Sequence, residues 1–126
     1  MNTPLFILNL VVLVVVLSAT IKSGLRGRRT LHYRLVASTM VLLVLAIMQA
    51  ELYGRGWDFN PLRLDIHLSL AFTAVAHVPV VVWSGIVRVR GGSIRFHRYT
   101  VASFVSFVLA SVGTAIWMFT DATKVA

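Results

Sequence analysis

Four apolar runs, separated by short polar segments, organise the chain. The first, residues 5–21, carries no charge and includes an unbroken aliphatic stretch from Val11 to Val16. A hydrocarbon core of about 30 Å is crossed by roughly 17–25 apolar residues in a helix, so this run is long enough to span a bilayer. By the same criterion the pattern predicts further spans at about 31–53, 64–87 and 96–119. The segments between them read as a basic loop at 22–30, a turn-rich connector at 54–61 and a second basic loop at 88–95. Pro79 lies inside the third span and cannot donate to the carbonyl of Val75, which predicts a kink there. A cleaved signal peptide would begin with basic residues and exit through small ones. Here the basic cluster follows the first run, so a retained helix is expected.

A phrase that occurs twice ties the four spans into two pairs. Leu31-His32-Tyr33-Arg34-Leu35-Val36-Ala37-Ser38 and Phe96-His97-Arg98-Tyr99-Thr100-Val101-Ala102-Ser103 share a histidine, a nearby arginine and an identical Val-Ala-Ser, 65 residues apart. The same offset carries Gly27 onto Gly92. One helical hairpin used twice is the simplest account. The expected fold class is therefore all-α, an integral membrane bundle of four transmembrane helices in a single domain of 126 residues, built from two similar hairpins.

Composition agrees: 58% of residues are hydrophobic and the mean hydropathy is +0.85, above soluble usage. The formal charge of +8 does not point to nucleic acid, because no basic stretch is interleaved with stacking aromatics. Instead the charges sort by border. Nine basic residues (Lys22, Arg26, Arg28, Arg29, Arg34, Arg88, Arg90, Arg95 and Arg98) and no acidic one lie at one edge, and all four acids lie at the other. The positive-inside rule then predicts cytoplasmic basic loops and both termini outside, in a bacterial cytoplasmic membrane. With no cysteine, disulfides, Cys-bound zinc, iron–sulfur clusters and covalently attached haem are excluded. No Gly-rich phosphate loop, Ser/His/Asp set or zinc-protease motif is present, so hydrolase and nucleotide chemistry have no support.

Depth along the spans groups the remaining chemistry. His32 and His97 open their helices at the basic edge, where a pseudo-twofold arrangement would face them as axial ligands of a haem b with Arg34, Arg95 and Arg98 near its propionates. The bland alternative is a polar interfacial residue bonded to lipid or a loop carbonyl. His77, near mid-membrane, is a further ligand candidate with Met40 as its soft partner, or else a satisfied core histidine. At the opposite edge His67, Met48, Met118 and Glu51 share a level and would suit copper, although methionine also fills gaps and Glu51 could pair with Arg55 or Arg63. The small residues Ser103, Ser106, Ala110, Ser111, Gly113, Thr114 and Ala115 suit close packing of the fourth helix.

The histidines opening the second and fourth spans, with His67 early in the third, make residues 29–119 resemble a family of small bacterial four-helix membrane proteins that includes a maturation factor for caa3-type cytochrome oxidase. The resemblance implies that His32, His67 and His97 handle haem or copper, whereas His77 and Tyr33 depart from the family pattern. The expected function is a non-catalytic accessory or assembly subunit of a membrane respiratory or electron-transfer complex, with other membrane subunits and the bilayer as partners. A small b-type cytochrome and a purely structural subunit are the alternatives.

Overall fold

The computed structural model describes residues 3–125. The fold is all-α. Helices α1 (Thr3–Leu25), α2 (Arg29–Gly54), α3 (Pro61–Val89) and α4 (Ile94–Phe119) are each long and apolar enough to cross a membrane, which makes this a multi-pass membrane protein. Two compact units, Met1–Trp57 and Asp58–Ala126, each hold one antiparallel hairpin: α1 with α2, and α3 with α4.

Most helix ends overrun the apolar runs, because lysine and arginine stems tolerate helix, and α1 and α3 stop at a glycine of positive φ. Lys22 to Leu25 continue α1, and the first loop shrinks to residues 26–28. There Gly27 takes φ +70°, with Arg28 N–H bonded to the Ser23 carbonyl at 3.0 Å and Gly27 N–H to Gly24 at 3.2 Å. Gly91 does the same for α3 at φ +91°, with Gly92 N–H on Val87 at 2.9 Å and Gly91 N–H on Arg88 at 3.1 Å. Both are Schellman ends, which place a left-handed residue where a side chain would clash. The turn glycine equivalent to Gly27 is thus Gly91, not the Gly92 that the 65-residue offset selects. Helix α3 continues unbroken through Pro79 and starts at Pro61, with Asn60 Oδ1 accepting from Leu62 N–H at 3.0 Å.

Packing in each hairpin follows one narrow seam. On α1 the covered positions include Phe6, Asn9, Leu13, Val16, Thr20 and Ser23, and on α2 they include His32, Leu35, Thr39, Leu42, Ala46, Gln49 and Tyr53. The second hairpin uses Arg63, His67, Leu70, Ala74, His77, Val81, Ser84 and Arg88 against His97, Thr100, Phe104, Phe107, Ser111, Thr114 and Met118. Steps of three and four alternate throughout, the 3.5-residue repeat of knobs-into-holes packing. The polarity is inverted relative to a soluble coiled coil. Thr20, Ser23, Thr39 and Ser84 are buried, while Leu5, Val11, Val15, Val41, Phe72 and Leu109 face outward. Lipid is as apolar as leucine, so helices gain from hydrogen bonds and close packing at the seam rather than from hiding aliphatic surface.

Candidate functional site

The seam carries the histidines, and its loop end is built the same way twice. In the first hairpin Ser23 Oγ donates to the Thr20 carbonyl at 2.8 Å, and His32 Nδ1 lies 2.8 Å from that carbonyl and 3.3 Å from Ser23 Oγ. In the second, Ser84 Oγ donates to Val81 at 2.8 Å and His97 Nδ1 lies 2.9 Å from Ser84 Oγ. A glycine follows each serine and leaves room for the ring: a Cβ on Gly24 would stand 2.9 Å from His32 Cε1, and one on Gly85 would stand 3.3 Å from His97 Cε1. The element is a Ser-Gly notch on the first helix that receives a histidine from the second. Ser-Gly occurs in this chain only at 23–24 and 84–85. The two notches lie 61 residues apart rather than 65, since Gly91 follows Ser84 by seven positions and Gly27 follows Ser23 by four. That change of offset hid the match from a fixed-period comparison.

These contacts fix the state of the rings. A carbonyl can only accept, so Nδ1 carries the proton in His32, and also in His77, whose Nδ1 is 2.7 Å from the Thr73 carbonyl. In the other two histidines the hydroxyl proton is already given to a carbonyl, Val81 for Ser84 and Ala110 for Thr114. His97 therefore donates from Nδ1 to Ser84, and His67 donates from Nδ1 to Thr114 Oγ1 at 3.0 Å. All four imidazoles thus present Nε2 as the lone-pair nitrogen. In His77 that nitrogen accepts from Ser103 Oγ at 2.8 Å, and its ring rests 5.0 Å from Phe107.

The remaining candidates are described within their own hairpins. Arg34, Arg95 and Arg98 are exposed. Met48 is exposed on α2 and Met118 is buried on α4. Glu51 pairs with Arg55 at 3.0 Å, one of its two expected partners. Among the described residues no three His, Cys, Asp or Glu side chains gather as a metal group. Of the small residues of α4, Ser111 and Thr114 enter the seam and Ser103 borders it through its bond to His77, whereas Ser106 and Gly113 lie outside it, Ser106 bonded back to its own helix.

Several seam contacts escaped a reading by residue type. Asn9 Nδ2 donates to Gln49 Oε1 at 2.8 Å, Thr20 and Thr39 hydroxyls meet at 3.0 Å, and Phe6 stacks on Tyr53 at 5.4 Å. At the far end of the second hairpin Arg63 donates to the Trp117 carbonyl at 3.0 Å and to Thr120 Oγ1 at 2.9 Å. It also lies 3.5 Å from Asp121 and over the Trp117 ring at 4.7 Å.

The two notches differ enough to give unequal responses to the same substitution. Forcing a methyl group into a packed site costs about 1–3 kcal/mol, and replacing a helical glycine by alanine returns about 1. Gly24→Ala is expected to lose about 1 kcal/mol of unfolding free energy in micelles, and Gly85→Ala to change it by less than about 0.5. Combining Gly24→Ala with His32→Ala should remove the penalty. Equal stability of Gly24→Ala and the parent chain would show that the ring does not occupy the notch. No protein-family model, curated protein or solved structure matches this chain.

Proposed function

We propose that the chain is a non-catalytic accessory or assembly subunit of a membrane respiratory or electron-transfer complex, holding or passing haem b or copper through imidazole nitrogens. One observation carries the proposal: every histidine sets its Nδ1 within hydrogen-bond distance of an oxygen of its own hairpin. Metal-binding histidines are prepared in this way, with one nitrogen hydrogen-bonded so that the ring is oriented and the other is basic. His32 in the first hairpin and His97 in the second each offer a haem an imidazole held in a notch, and bound haem b would supply one-electron chemistry at its iron. His67, with Met118 on the same hairpin, offers the imidazole and thioether donors that copper(I) prefers. A purely structural role is the second reading. It is favoured by the notches themselves, since a ring seated on serine and glycine already explains why histidine stands there.

A reduced-minus-oxidised optical spectrum of the detergent-purified chain separates the two. The expected result is a haem b signal that disappears in His32→Ala or His97→Ala, or Cu(I) binding that weakens in His67→Ala and Met118→Leu. A colourless preparation that binds no Cu(I) would leave the structural reading standing.

A further inference from the structure

Beside the seam of the second hairpin runs a groove of about 360 Å³, lined by Thr73, Ala76, His77 and Val80 of α3 and by Phe96, Tyr99, Thr100 and Ser103 of α4. Its walls offer almost nothing to a polar ligand. The Thr73 hydroxyl donates to Ser69 at 2.7 Å, Thr100 to His97 at 2.8 Å, and Ser103 faces the His77 lone pair, so the serine and threonine protons of the wall are committed. What remains is apolar and aromatic surface, including Tyr99 at 74% exposure. From Phe96 to Ser103 the groove descends about 10 Å along the helix, a large part of the roughly 15 Å depth of one leaflet.

The loop end of the groove is cationic. Arg95 precedes Tyr99 by one helical turn on the same side of α4, and Arg88 follows Val80 by eight positions on α3. Among the described residues neither guanidinium meets a carboxylate, since the ion pairs of this hairpin lie at its other end, around Arg63. Two unpaired arginines above an apolar slot match one chemistry: a phosphodiester carrying a hydrocarbon chain. We propose that this groove is a binding site for an anionic phospholipid, with the phosphate on Arg88 and Arg95 and an acyl chain along Ala76, Val80, Phe96 and Tyr99. The site lies wholly within the α3–α4 hairpin and does not depend on haem or copper.

The test is retention of added lipid by the detergent-purified full chain, read by native mass spectrometry. Phosphatidylglycerol, phosphatidylcholine with the same chains, and inorganic phosphate serve as three separate probes. Each arginine near an anionic headgroup contributes enough that the pair should favour phosphatidylglycerol over phosphatidylcholine by about thirtyfold. Arg88→Gln with Arg95→Gln should bring the two lipids to within about twofold. Ala76→Phe, on an exposed wall position, should weaken phosphatidylglycerol while leaving the arginines in place. Equal retention of the two lipids would overturn the proposal. So would displacement of phosphatidylglycerol by equimolar phosphate, or an Ala76→Phe variant that binds as the parent does.

Discussion

Ser84→Val is expected to lower the unfolding free energy of the chain in micelles by about 2–4 kcal/mol, the largest effect of any single seam substitution considered. Ser84 is 0% exposed, and its hydroxyl joins three partners: the Val81 carbonyl on its own helix, His97 Nδ1 at 2.9 Å and Thr100 Oγ1 at 2.7 Å across the seam. Interhelical hydrogen bonds inside membranes average about 0.6 kcal/mol and reach about 1.7, so losing the one that His97 donates costs roughly 0.6–1.7. The added methyl groups enter a fully enclosed position and cost a further 1–3 or so. Ser84→Ala isolates the first contribution and should cost about 1 kcal/mol. Ser106→Val is the control, because that hydroxyl is exposed and bonds only to Ala102 of its own helix. If the two valine variants unfold alike, the hydroxyl is not the hub of the loop end.

At the opposite end Arg63→Ala should cost about 2 kcal/mol, and Arg63→Lys should recover little of it. Hydrogen bonds from a charged donor contribute about 1.5–3 kcal/mol, and the stacking on Trp117 about 0.5–1 at a partly exposed site. The ion pair with Asp121 adds little, since both groups reach water. Both bonds leave one nitrogen, Nη1, while the guanidinium lies over the indole, and a lysine has no flat group to rest on the ring while its nitrogen donates to the Trp117 carbonyl and the Thr120 hydroxyl. Arg55→Ala is the comparison. Its pair with Glu51 is 69% exposed on both sides, so it should change stability by less than about 0.5 kcal/mol. Matching losses for Arg63→Ala and Arg55→Ala would contradict the geometry described for the α4 terminus.

Much of the architecture was legible in the order of residues. Spans, hairpin pairing and the repeated histidine phrase follow from apolar length and from two copies of Val-Ala-Ser, both local signals. Apolar length alone ends the helices too early, at Lys22, Arg29, Arg88 and Arg95, because a charged stem at a membrane border remains helical. The seam was harder to see. With almost every position of α1 apolar, hydrophobic periodicity is flat, and the information resides in the few polar residues. Asn9, Thr20 and Ser23 already fall on the 3.5 repeat, and so do His67, His77 and Ser84. Read as a polar stripe, they mark the packed face without coordinates. The notch for each histidine was missed for another reason: sorting residues by depth asked which histidines could meet one another, whereas their nearest partners are hydroxyls and a carbonyl on the adjoining helix.

The spacing of these contacts along the chain has a consequence for the order in which a hairpin closes. His32 reaches back only nine residues to Ser23, whereas Gln49 reaches forty to Asn9. Chain closure over the shorter separation costs less entropy, by about 1 kcal/mol on logarithmic scaling. Alignment is therefore decided beside the turn, and the remote pair is brought into line afterwards, much as a zip closes from its stop.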